Sequence, residues 1–324
     1  MINFRYHVVS ILAVFLALAI GTVMGASFVG RGLIDNLQKQ VTQVRHNADD
    51  QNAENDKLTS EADKLNAYVN QTAPFAVARS LTGIRVNLVA ERGVDGGVVD
   101  AQATLLRQGA GTVPGVIWLE DRWKLESADD ASALRSATGL TNKARPALRT
   151  AAARLLGERL GAFDSGAVTV PTVPVSPTDD VLIKLAAAKF VTLSGVAGGA
   201  TPVATDFVTA SSRVLELGGP GHAVPADVVP AVAGGVVSGG GSAAVGQVFV
   251  DPDSTLDRGA WIDAVANLDG LRGKISTVDD VESVEGQVGT TLALSELGLG
   301  GVGNYGVGRE RAVPEKASTV PSAR

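Results

Sequence analysis

The stretch VVSILAVFLALAIGTVMGASFV, from Val8 to Val29, carries no charged side chain over its whole length. At about 1.5 Å per residue a helix of about 22 residues covers about 33 Å, enough for a hydrocarbon core of about 30 Å. Ser10 and Gly21 are compatible with that, because a helix satisfies its own backbone groups inside lipid. Arg5, His7 and the amino terminus precede the run. The positive-inside bias therefore predicts a single pass through the cytoplasmic membrane, with the N-terminus inside and the remainder extracytoplasmic. A cleaved signal peptide shares the basic start and apolar core, but its core usually runs to only about 7–15 residues. Ala17, Gly21 and Gly25 recur at every fourth position and leave one helix face bare for a second helix in the bilayer.

Working outward, apolar residues keep a 3-4 spacing through Ile34, Leu37, Val41, Val44, Ala48, Gln51, Asn55, Leu58, Ala62, Leu65 and Val69. This predicts a coiled coil over 32–73, with a parallel homodimer as the assembly and Asn55 at a core position setting register. Ala48, Gln51 and Asn55 soften the middle of the seam, so packing of this helix against its own C-terminal domain remains the alternative. Pro74 is expected to end the helix.

Beyond it the pattern changes. Ile84–Ala90 reads as a strand, Glu91–Gly97 as a turn, Val98–Gln108 as a helix and Pro114–Leu119 as a second strand. Strand, helix and strand in so short a span make a βαβ unit and imply a parallel sheet. Ser127–Leu160 is helical by pattern, Val168–Thr178 a Pro-rich loop, and Val181–Ala188 a helix leading into Phe190–Leu193. Arg213–Leu217 and Gln247–Val250 read as strands separated by a Gly-rich helical stretch around Ala226–Val245. Gly273–Thr277 is expected to run into a helix that starts at Val278-Asp279-Asp280. The predicted organisation is thus a cytoplasmic end and span over 1–31, the coil, a mostly parallel α/β domain over 81–308, and a polar disordered tail over 309–324.

The chain has 324 residues and a formal net charge of −6. Basic residues are not clustered, which argues against nucleic acid as a partner. With no cysteine there are no disulfides, thiolate metal sites or cysteine nucleophiles. Gly93-Val94-Asp95-Gly96-Gly97 occupies the place of a phosphate-binding turn but lacks the G-x-G-x-x-G order, so a tight βα turn is the expectation and no cofactor is predicted. Gly234–Gly246 reads as close backbone packing or a mobile loop. Of the three histidines, His7 falls at the membrane, His46 at an outer position of the coil, and His222 inside the domain. His222 is the lone metal candidate, and the three histidines are not expected to converge within one monomer. Asp251/Asp253 and Asp279/Asp280 could hold a hard cation but also suit turns and helix caps. No spacing supports a catalytic triad, and the chain reads as non-enzymatic.

The block Phe4-Arg5-Tyr6-His7-Val8-Val9-Ser10-Ile11, the run Ala13–Gly21, Met24-Gly25, and the C-terminal Leu292-Ala293-Leu294 and Asn304-Tyr305-Gly306 resemble the actinobacterial MctB copper transport family along essentially the full length. The resemblance implies a role in copper efflux or homeostasis across the cell envelope, with copper as the transported ion. SteB-like relatives imply instead a scaffold in daughter-cell separation, with a SteA-like partner and peptidoglycan hydrolases. Copper(I) favours Cys, Met and His, and the domain offers only His222 of these.

Overall fold

A computed structural model describes residues 4–161, 179–207, 212–221, 223–249 and 259–306, with the backbone alone for 26–35. The chain divides into two units, Met1–Ala67 and Tyr68–Arg324.

Every described residue of the first unit lies in one helix, α1 (Phe4–Val77). Its stretch Phe4–Gly25 is long and apolar enough to cross a membrane, with a mean hydropathy of 2.5. Pro74 does not end α1, which runs three residues further to Val77. A proline inside a helix removes one backbone hydrogen bond. Here the last turn is held by packing within the second unit: Ala73 and Val77 are buried in a small cluster with Leu105, Val288 and Leu292.

The second unit is built on a seven-stranded sheet in the order β3-β2-β1-β4-β5-β6-β7. The strands are β1 (Arg85–Glu91), β2 (Val116–Leu119), β3 (Val191–Ser194), β4 (Ser212–Gly218), β5 (Ala243–Gln247), β6 (Ile275–Val278) and β7 (Asn304–Tyr305). All neighbours are parallel except β2 and β3. Apolar runs such as VNLVA and VIWL suit strands covered on both faces. One face is covered by α2 (Gly96–Gln108) and α8 (Val284–Leu297). The other is covered by α3 (Ala128–Thr138), α4 (Arg145–Gly161), α5 (Val181–Ala187), α6 (Val228–Ser238) and α7 (Ala260–Ala266). The mostly parallel α/β architecture expected from the βαβ pattern is what forms.

Three further boundaries differ from expectation. The fifth strand is AAVGQ at Ala243–Gln247 rather than Gln247–Val250, because the Gly-rich helix stops at Ser238. Val278 closes β6 instead of opening a helix; α8 waits for Ser283, whose hydroxyl caps the Gly286 N–H at 2.9 Å. Glu91 ends β1 rather than opening the turn, and its side chain is buried. The glycines of α4 and α6 provide close backbone packing: a Cβ on Gly157 would sit 2.0 Å from the Val232 carbonyl oxygen, and one on Gly235 2.0 Å from that of Arg154. The Pro-rich stretch 168–178, Asp251, Asp253, His222 and the tail 309–324 lie outside the described residues.

Candidate functional site

Strand β1 sits between β2 and β4, so the chain leaves it in opposite directions in the two halves of the sheet. Open α/β sheets place their ligand crevice outside the carboxyl ends of the strands at such a switch point. Here that point is occupied by acid. Glu91 closes β1 and Glu216 lies in β4; their residues are 1% and 0% exposed.

Strand alternation fixes which way these side chains point. Val89, Val214 and Val245 pack in the layer beneath α4 and α6. Glu91, Glu216 and Gln247 each lie two residues further along the same three strands, hence on the same face. In register, Ala90 pairs with Leu217 and Gly218 with Gln247. One step beyond the first pair, Glu91 therefore meets Gly218. Gly218 has no side chain, and a Cβ there would lie 2.7 Å from Glu91 Oε2. The carboxylate fills that space and accepts the Gly219 N–H at 3.1 Å.

Glu216 lacks even one such bond: both of its carboxyl oxygens, and both side-chain polar atoms of the fully buried Gln247, have no hydrogen-bond partner. Further back on the same face, Asn87 donates to the Phe207 carbonyl at 3.0 Å, while its Oδ1 and the Ser212 hydroxyl are unpartnered. Burial pushes the Glu91 carboxyl up to about 8, against a smaller lowering by the Gly219 N–H. Burial, and then the charge of Glu91, hold Glu216 far above the ordinary carboxylate range. A buried acid with a shifted pKa at a switch point is a functional-site candidate on physical grounds.

The rim is built differently. Arg92 follows Glu91 but turns toward β2, where its Nε and Nη2 grip Glu120 at 2.8–3.1 Å. Its guanidinium also lies 4.8 Å from the centre of the Trp118 ring. Burial raises the Glu120 pKa, but the hydrogen bonds from Arg92 and Thr192 and the Arg92 charge together bring it below the usual value. The Arg92 carbonyl accepts the Ala223 N–H at 3.1 Å, tying the loop after β4 to the end of β1.

The sites expected from sequence fall elsewhere. Gly96 and Gly97 open α2, and the Asp95 carboxylate caps the Gly97 N–H at 2.7 Å, as a tight βα turn requires. Asp280 precedes α8; burial first, and then the neighbouring Asp279, Glu282 and Glu285, raise its pKa to about 6 against the Ser283 hydrogen bond. Among the described residues, no three His, Cys, Asp or Glu side chains gather as a metal centre. Ala17, Gly21 and Gly25 share a shallow face of α1 with Val14, Leu18 and Thr22. Leu37, Val41, Val44, Asn55, Leu58 and Leu65 are exposed in the single chain and Val69 is half-buried, while the Ile34 side chain lies outside the description. Sequence reading passed over Glu91, Glu216 and Gln247. The signal was there: a carboxylate inside RVLELG breaks the continuous apolar run that a doubly covered parallel strand should show.

The family model described as copper transport outer membrane protein, MctB, matches residues 1–314. Proteins named copper transporter MctB from Mycobacterium tuberculosis and Mycobacterium bovis are each 30% identical over 321 residues, covering 95% of this chain and 97% of theirs. The Mycobacterium leprae protein of that name is 28% identical over 324 residues, with the same coverage. With residues 1–314 matched in this way, the chain belongs to the MctB family.

Proposed function

We propose that this chain is a membrane-anchored, non-enzymatic component of the cell envelope that supports copper efflux, acting as a tethered accessory rather than as the pore. The observation that carries this reading is the join of one apolar helix, Phe4–Gly25, to an α/β domain, in a family whose relatives are named copper transporters. Transmembrane barrels use antiparallel strands of about 9–11 residues. Among the described residues the strands are mostly parallel and two to seven residues long, in an open sheet. The cytoplasmic membrane is the assigned location, with the N-terminus inside, because Arg5 and His7 precede the span.

A parallel homodimer through the coil is part of the proposal, supported by the exposed heptad residues Leu37, Val41, Leu58 and Leu65. Copper enters as cargo, and direct cuprous handling is unsupported by a chain with no Cys, two Met and three His. Deleting the gene and challenging the cells with copper tests this. Hypersensitivity restored by the full chain, with normal cell separation, is the expected result. Normal copper tolerance with chained cells would overturn it in favour of a SteB-like scaffold working with a SteA-like partner.

A further inference from the structure

We propose that Glu91, Glu216 and the amide oxygen of Gln247 bind one divalent, oxygen-seeking cation at the carboxyl ends of β1, β4 and β5. Neighbouring strands are about 4.8 Å apart, so Glu91 and Gln247 stand on backbones about 10 Å apart. Only Gly218 lies between them in that row. The bare glycine opens a slot, the Glu91 carboxylate leans into it, and Glu216 lies two residues behind Gly218 on the same face. Three buried side chains able to supply oxygen therefore stand on one face of the sheet at adjoining ladder positions.

Charge and hydrogen bonding point to what belongs there. The Gly219 N–H is the sole hydrogen-bond donor that these three side chains engage among the described residues. No described basic residue pairs with either acid; Arg92, the adjacent cation, is committed to Glu120. The two carboxyls are close enough for the charge of one to act on the other, yet no hydrogen bond joins them. The unpartnered Glu216 carboxyl and Gln247 amide, beside a Glu91 carboxyl with a single donor, are costly inside a protein, and a cation would satisfy all three. Carboxylate and amide oxygens favour Mg²⁺, Ca²⁺ or Mn²⁺, with bonds of about 2.0–2.6 Å, over the thiolate and thioether preference of copper(I). The inference is independent of the copper reading, and either can fail alone.

The test uses the full-length chain in detergent micelles, stripped with chelator and titrated with MnCl₂ while free Mn²⁺ is followed by electron paramagnetic resonance. The expected result is one Mn²⁺ per chain, a rise in melting temperature with added Mn²⁺, and competition by MgCl₂ or CaCl₂. Glu216→Gln matches the shape of the neutral acid and should fold, and it should weaken Mn²⁺ binding by at least about tenfold. Glu91→Gln provides the same reading should the first variant be poorly folded. Absence of bound Mn²⁺, equal affinity in both variants, or displacement of Mn²⁺ by an equimolar amount of copper(I) would each overturn the assignment.

Discussion

Glu120 and Glu216 stand at the same end of one sheet, the first on the rim just past β2 and the second inside the layer over β4. Glu120 is 19% exposed, held by a two-pronged Arg92 that also rests on the Trp118 ring. Glu216 is wholly buried and meets neither a cation nor a donor. The fold supplies a balancing charge where water could have done part of the work and omits it where water cannot reach. A burial cost left uncompensated beside a second acid marks a place shaped for something other than stability.

The largest effect that would break this contrast is on pH dependence. The Glu91 carboxyl rises from 4.5 to about 8 on folding, and Glu216 rises further. The folded state therefore holds protons that the unfolded chain releases. This contribution to stability is complete below pH 4.5 and is lost as pH rises through about 8. In chelator-stripped protein, urea unfolding should show a loss on the order of a few kcal/mol between these limits. A profile that is flat there would remove the contrast. In Glu216→Gln the loss over that range should shrink, leaving the variant more stable than the parent above pH 8.

Gly218→Ala comes next. The added methyl would meet Glu91 Oε2 at 2.7 Å, and the carboxylate must give up its slot. A cost of about 1–3 kcal/mol is expected from thermal unfolding, in line with overpacking elsewhere. Relief of that cost in the double variant with Glu91→Ala would sharpen the assignment of the slot to this side chain. The smallest effect belongs to the rim. Arg92→Ala removes a partly exposed ion pair and should cost about 1 kcal/mol or less, diminishing with added salt. A larger loss would mean that rim and interior are coupled through the end of β1.

Much of the architecture was legible from pattern. The uncharged run near the N-terminus marked the apolar helix, and the strand-helix-strand succession after Leu81 marked a parallel sheet. What stayed hidden depended on contacts distant in sequence. Pro74 looked like a stop because its missing N–H is local, whereas the burial of Ala73 and Val77 that carries the helix past it comes from Leu105, Val288 and Leu292. QVFV looked more strand-like than AAVGQ, yet Ala243–Gly246 pairs with both β4 and β6. Small residues fit there because Val281 and Leu217 press on Gly246. The acid site was invisible for the same reason. Glu91 and Glu216 are 125 positions apart in sequence, and the register of β1 against β4 is what brings them together.

The end of α1 bears on how the domain could ever be cut away from the long helix. Because Ala73 and Val77 belong to the domain's interior, a protease clipping after residue 67 would liberate an intact α/β domain. A cut after Val77 would instead pull a plug out of it and expose the greasy patch formed by Leu105, Val288 and Leu292.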